Sequence, residues 1–285
     1  MLDGATPRWT DIKEMARLAE DVGFDSLWFP DHVLARFPTG TYGAWDCWSL
    51  LAGLAAITRR VTLGSLVSCA GFRNPALLAK MADTVDEISG GRLVLGLGAG
   101  WNQAEYEAFG WPFDHRASRF EEALAIIHGL LRVGHVDFAG QYYQARDCEL
   151  KPRGPPARRL PIMVGTRGER MLRLTARLAD SWNTDWVLPA DLPPQLAAVD
   201  AACAVVGRDP ATLERTAAVR IELPGVRRYP LDTYRGQFSG SIEETVALLR
   251  AYRDLGIAHV QIWLIPGTAR SIEAIGPVLD VLARG

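Results

Sequence analysis

Cysteine is scarce in this chain. Its four residues, Cys47, Cys69, Cys148 and Cys203, are scattered and form no CxxC pair. That spacing offers neither a disulfide framework nor a zinc site, so a reduced, cytoplasmic protein without a zinc site is expected. An excess of either charge is also missing. The net charge is -2, with 31 basic and 33 acidic residues mixed along the chain. Such a balance gives no nucleic-acid surface and no polybasic membrane patch. No apolar run is long enough to span a bilayer, and MLDGATPRW has neither the basic start nor the apolar core of a signal peptide. Walker, nucleophile-elbow, HExxH and EF-hand patterns are absent. What remains is an ordinary globular composition, 48% hydrophobic and 22% charged. Its length suits one large α/β domain or two small ones, and a single domain over 1–285 is expected.

The organising stretch is FDSLWFPDH at 24–32, a short apolar run that stops at a polar pair. Before it, Ile12, Met15, Ala16, Leu18, Ala19 and Val22 follow a helical period. Thr10 or Asp11 can cap that helix and Gly23 can end it. The rhythm then repeats. A loop over 33–44 leads to a helix at 46–58 and a β-branched strand, VTLGSLVSC. Asn74-Pro75 opens a third helix. RLVLGLGAG is the next strand, and a helix over 116–133 follows. Strands are expected at 24–29, 61–67, 92–97, 161–165, 180–184, 216–222 and 258–265, with helices between them. A loop is expected at 224–240, a capping box at Ser241 and Glu244, and one final helix from Ser271 onward. Residues 135–160 break the pattern as two short strands about Gly140 and an irregular connection, read as an insertion. Strand–helix alternation implies a parallel sheet. A doubly wound fold would carry GxGxxG in its first turn, whereas GLGAG at 96–100 is partial and in mid-chain. A (β/α)₈ TIM barrel is therefore expected.

Parallel strands all end on one rim, where barrels bind ligands. The polar residues falling there are Asp31 and His32, Ser65 and Ser68, Asn102, and the turn Gly165-Thr166-Arg167-Gly168. Hydroxyls, amides and one carboxylate suit a neutral to anionic organic ligand better than a metal. The GTRG turn leaves a strand and enters a helix, whose N-terminus attracts anions. Plainer roles stay open. Asp31 can cap a turn and His32 can pack a loop. The serines can satisfy strand-end backbone, and Asn102 or Thr166 can cap a helix. Arg116 and Arg119 read as a solvated or salt-bridged helix face.

Three stretches, FDSLWFPDH, NPALLAKMADTVDEISGGRLVLGLGAGW and PIMVGTRGERMLRLTARLADSWN, together resemble the bacterial luciferase-like family of flavin- and deazaflavin-dependent oxidoreductases. The resemblance covers about Asp11 to Gly267 and implies the same barrel. The family places its first strand before the helix at 11–22, but residues 1–10 do not read as one, so the chain as given is expected to lack that strand. By the resemblance, Asp31 and His32 face the cofactor ring, with His32 also a candidate catalytic proton donor. Ser65 and Leu66 fall where relatives carry a bulge behind the ring, Ser68 gives a neighbouring hydroxyl, and Asn102 contacts ring or ribityl. Gly165, Thr166, Arg167 and Gly168 hold the phosphate. The implied function is hydride transfer between coenzyme F420 and a small organic substrate. One alternative is an FMN (riboflavin monophosphate)-dependent monooxygenase supplied with reduced flavin by a partner reductase. Another is a truncated or non-catalytic barrel. Relatives of this kind are commonly homodimers.

Overall fold

The structure is a computed structural model that describes residues 6–37, 40–154, 158–226 and 236–284. Among these, no strand precedes the first helix, α1 (Trp9–Val22). Its cap is Arg8 rather than Thr10 or Asp11. Asp11 acts one turn inside, its carboxylate accepting the Arg8 N–H at 3.0 Å. Gly23 ends the helix at φ 107, a conformation that only glycine adopts without cost.

Strand β1 (Ser26–Phe29) is followed by a short hairpin, β2 (Ala35–Phe37) and β3 (Gly40–Tyr42), where the sequence suggested a loop. Helix α2 (Cys47–Ile57) is capped by Asp46, which accepts the Ser49 N–H. Strand β4 (Thr62–Ser65) breaks and resumes as β5 (Ser68–Cys69), and the Leu66–Val67 peptide between them is cis. Helix α3 (Pro75–Ser89) has the expected Asn74 cap and proline at its start. Then come β6 (Leu93–Gly98), α4 (Gln103–Phe109) and α5 (Arg116–Arg132). The inserted hairpin is β7 (His135–Ala139) and β8 (Gln144–Glu149), antiparallel as the two strands about Gly140 suggested.

Beyond it lie β9 (Ile162–Gly165), α6 (Glu169–Leu178), β10 (Ser181–Asp185), α7 (Pro193–Val205) and β11 (Glu214–Glu222). Part of the expected 224–240 loop is a strand, β12 (Gln237–Ser239), while 227–235 lie outside the described residues. Helix α8 (Ile242–Asp254) carries the Ser241–Glu244 capping box. Strand β13 (His259–Leu264) leads to two helices rather than one, α9 (Ala269–Ala274) and α10 (Gly276–Ala283). Pro277, which lacks an N–H to continue a helix, falls in the first turn of the second.

The chain forms two compact units. The central unit, Trp28–Val164, has β6 at its middle, paired in parallel with β4, β5 and β9. Leu63, Leu93, Leu95, Leu97 and Ile162 are fully buried there. The terminal unit, Met1–Leu27 with Gly165–Gly285, is built on β11, paired in parallel with β10, β12 and β13. Ala217, Val219 and Ile221 of β11 point into one apolar cluster with Val246, Leu249 and Tyr252 of α8. Strand alternation therefore sends Thr216, Ala218, Arg220 and Glu222 to the opposite face.

Candidate active site

In the central unit, the segment after β1 is gripped by the first turn of α4. Glu105 is 1% exposed, and its carboxylate accepts from His32 Nδ1 at 2.9 Å. It also accepts the Val33 N–H at 2.8 Å and the Leu34 N–H at 3.1 Å. Three residues earlier, Asn102 donates from Nδ2 to the Leu34 carbonyl at 3.2 Å. Two side chains one helical turn apart thus hold residues 32–34 from one side. Burial pushes the Glu105 carboxyl up. The hydrogen bond and charge of His32 and the two backbone amides outweigh that, and its pKa ends below the usual carboxylate value. His32 is 35% exposed. Trp101, 72% exposed, meets its ring edge-on at 5.6 Å.

Asp31 turns the other way, into the protein. Arg73 holds both its oxygens, Nη1 to Oδ2 at 2.5 Å and Nη2 to Oδ1 at 3.0 Å. The Cys69 N–H reaches Oδ2 at 3.2 Å, and Arg73 also bridges to Asp46 at 2.8 Å. Burial raises the Asp31 pKa against the pull of Arg73 and the Cys69 amide. An acid so fully used by its own chain fixes the backbone on which His32 sits. Ser65 is likewise engaged, donating to the Gly96 carbonyl at 2.8 Å and accepting its N–H at 3.1 Å. The Leu66 N–H bonds the Phe29 carbonyl at 2.8 Å, and Ser68 accepts from Trp48 Nε1 at 3.1 Å. Asn102 is the first flanking residue of α4, yet its side chain makes no cap bond.

Behind this set, the Tyr106 hydroxyl bonds the Ala99 carbonyl at 3.0 Å and lies 2.9 Å from Cys69 Sγ. Burial pushes the Cys69 thiol up to about 11, so it stays protonated. Arg116 does more than line a helix face. Its Nη1 donates to the Gly100 carbonyl at 2.8 Å, and its guanidinium lies over Phe113. Arg119 pairs with Asp114 as an exposed ion pair.

In the terminal unit, the Gly165–Gly168 turn runs from β9 into α6 as expected. The cap is Gly168 rather than Thr166, and no side chain caps the helix. A Cβ added at Gly168 would meet nothing within 4 Å. The Thr166 N–H bonds the Asn183 carbonyl at 3.3 Å, and the Thr166 carbonyl accepts from Trp182 Nε1 at 2.8 Å. Arg167 points to the end of β10, donating to the Asp185 carbonyl and to Asp185 Oδ1. The turn's anion-binding capacity therefore lies in its backbone and uncapped helix start.

Within the central unit the structure brings His32 and Asn102 together on the 32–34 segment, while Asp31 is held by Arg73 and the Cys69 amide and Ser65 and Ser68 bond separately to Gly96 and Trp48. It adds Glu105 and Arg73, which sequence reasoning missed. Nothing local distinguishes Glu105 from Glu107 as the buried acid of α4 except its spacing of three from Asn102.

The luciferase-like monooxygenase family profile matches residues 1–222, and the chain belongs to that family. It is 32% identical over 201 residues to the 5,10-methylenetetrahydromethanopterin reductase of Archaeoglobus fulgidus, covering 70% of this chain and 57% of that protein. It is 34% identical over 177 residues to the pyrimidine monooxygenase RutA of a Bradyrhizobium species, covering 59% and 48%. The chain thus spans about half the length of these relatives. An F420-dependent secondary alcohol dehydrogenase, solved with an F420–acetone adduct, superposes with a TM-score of 0.84 at 20% identity, over 97% of this chain and 96% of that one. That likeness establishes the luciferase-like TIM-barrel fold. No described helix is long and apolar enough to cross a membrane.

Proposed function

We propose that the chain is an F420-dependent oxidoreductase acting on a small organic substrate. The observation carrying this reading is His32, half-buried at the carboxyl end of β1 and held at Nδ1 by the buried Glu105 carboxylate. A carboxylate can only accept, so Nδ1 carries the hydrogen in the neutral ring and Nε2 is left as the nitrogen able to accept a proton. It can then take a proton from a substrate hydroxyl or return one to a carbonyl oxygen. Asp31 and Asn102 hold the chain beside it, and Ser65, Leu66 and Ser68 complete the proposed cofactor-binding set. A donor set of imidazole, amide and hydroxyls suits a flat heterocyclic cofactor, and among the described residues no cluster is built to hold a metal. The glycine-lined turn Gly165–Gly168 suits a phosphate through its backbone. When bound, F420 supplies two-electron hydride chemistry, and the protein supplies binding, orientation and the proton path.

The identity to a pyrimidine monooxygenase favours a second reading, an FMN-dependent monooxygenase fed with reduced flavin. Fluorescence titration of the purified protein with F420 and with FMN separates the two. Preference for F420 is expected, and preference for FMN would move the chain to monooxygenation. Binding of neither would leave a non-catalytic barrel. The four cysteines are free, which fits a cytoplasmic protein. A homodimer is the expected assembly, to be checked by light scattering.

A further inference from the structure

A lone indole on a protein surface is ordinary. Trp101 is distinguished by where it stands and how it is held. It follows Gly100 just beyond the carboxyl end of β6, the side on which parallel strands present ligand-binding residues, and is 72% exposed. Its ring meets the His32 imidazole at 5.6 Å between centres and 72° between planes. The neighbouring aromatic side chains behave differently. Tyr106, Phe109, Trp111 and Phe113 pack on one another and on Phe72.

The backbone that carries this indole is fixed on both sides. Before it, the Tyr106 hydroxyl donates to the Ala99 carbonyl at 3.0 Å, and Arg116 Nη1 donates to the Gly100 carbonyl at 2.8 Å. Gly100 turns the chain at φ 75. A Cβ there would collide with the Tyr106 hydroxyl and lie 2.5 Å from Cys69 Sγ, so the turn needs glycine. After it, Asn102 Nδ2 donates to the Leu34 carbonyl at 3.2 Å. Side-chain bonds at 99, 100 and 102 thus hold a surface indole in place without covering it. An exposed ring gains no burial from such order. Order without burial is what a preorganised ligand wall requires.

Two rings that stand nearly perpendicular make a corner. Its imidazole wall bonds an oxygen, and its indole wall takes a flat apolar body by stacking. With 5.6 Å between the ring centres, the oxygen and the flat body must lie close together in one ligand. Charge narrows the class further. Glu105 is buried against His32 and bonded to it at 2.9 Å, and a fixed negative charge there disfavours an anionic ligand. We propose that Trp101 is the specificity-determining wall of this site, and that the site takes an uncharged aryl ketone or aryl carbinol, its oxygen on His32 and its aryl ring on Trp101. Only in calling that ligand a substrate does this rest on the oxidoreductase reading above.

The test uses acetophenone as probe, with and without F420, read by ligand-detected NMR and by fluorine NMR of protein labelled with fluorotryptophan. Acetone serves as the ketone without a ring, and acetylbenzoate as the aryl ketone with a charge. Wild type should prefer acetophenone to both. Trp101→Phe identifies the Trp101 fluorine signal by its loss, and acetophenone should shift that signal in wild type. Trp101→Ala should weaken acetophenone about tenfold or more and leave acetone within about twofold, whereas Trp101→Phe keeps a ring and most of the affinity. Both variants change an exposed side chain and should melt with wild type. A Trp101 signal unmoved by acetophenone in either state, or acetophenone binding indifferent to Trp101→Ala, would overturn the proposal. Loss of F420 affinity in Trp101→Ala would also overturn it, making the indole a cofactor contact. F420 titration of wild type separates the two readings. No F420 binding with the Trp101 response intact sinks the oxidoreductase reading, and normal F420 binding without that response sinks this one.

Discussion

The half-buried His32 and the buried Glu105 form a hydrogen-bonded pair, 2.9 Å from Nδ1 to Oε2, across 73 residues of sequence. Glu105 has two tasks, orienting the imidazole and satisfying the Val33 and Leu34 amides. Substitutions separate them. Glu105→Gln keeps an acceptor for the amides but removes the charge behind His32. It should cost about 100-fold or more in turnover, with F420 affinity and melting temperature little changed. Glu105→Ala should also destabilise by about 1–3 kcal/mol, because buried donors lose their partner. Single-turnover kinetics with thermal melts decide it. Equal turnover in wild type and Glu105→Gln would remove the proton-path assignment.

Arg73 and Asp31 make the second test. Removing one partner of a buried pair leaves an uncompensated charge, so Arg73→Met should destabilise by about 3–5 kcal/mol. The double variant Arg73→Met with Asp31→Asn should recover much of that loss. Burial already raises the Asp31 pKa in the native protein. A raised carboxyl favours the folded state at low pH, and that contribution is lost as pH rises through the folded pKa. Arg73→Met should therefore close its stability gap to wild type as the pH is lowered toward 4, read by urea denaturation at several pH values. A gap that widens on acidification would contradict the pairing.

The parts legible in the sequence were those set by local pattern. The alternation of strands and helices, the Asn74-Pro75 start, the Ser241 capping box and the glycine-rich turn at 165–168 are all local features. What stayed hidden depends on partners far apart in the chain. Glu105 reads as one surface acid among several until α4 packs it under residues 32–34. Arg73 looks like a loop residue until Asp31 and Asp46 close on it. Asp31 illustrates the converse. Its place at a strand end was readable, while the direction of its carboxylate was settled by a guanidinium 42 residues away. The β2–β3 hairpin escaped because Pro38, Gly40 and Gly43 signal a turn without giving the register of three-residue strands.

Gly96 tests how closely β4 and β6 approach behind the site. A Cβ there would lie 2.0 Å from the Ser65 carbonyl oxygen and 3.0 Å from Met163 Cε. The first of these is backbone in a sheet and cannot swing aside. Gly96→Ala should destabilise by about 3 kcal/mol, the upper end of overpacking, and should disturb the Ser65 hydroxyl that bonds Gly96 at both N–H and carbonyl. Gly168→Ala, where a Cβ meets nothing within 4 Å, is the matched control and should melt close to wild type. Equal melting temperatures for the two variants would refute the packing argument.

His259, at the start of β13, sets an acid limit on the terminal unit. It bonds Ser26 Oγ at 2.8 Å through Nε2. Burial lowers its pKa from the ordinary 6.5, against the raising influence of Asp25 and Glu214. The unfolded chain therefore gains a proton that the folded chain resists as pH falls through 6.5. Stability from this residue is complete above about 6.5 and declines below it, until the folded pKa is passed. His259→Gln cannot titrate, so its melting temperature should vary less between about pH 5 and 7 than that of wild type. Because the substitution also disturbs the Ser26 bond, its absolute stability should be lower at pH 7.5. The slope, rather than the offset, carries the test, and identical slopes would assign the acid limit to other groups.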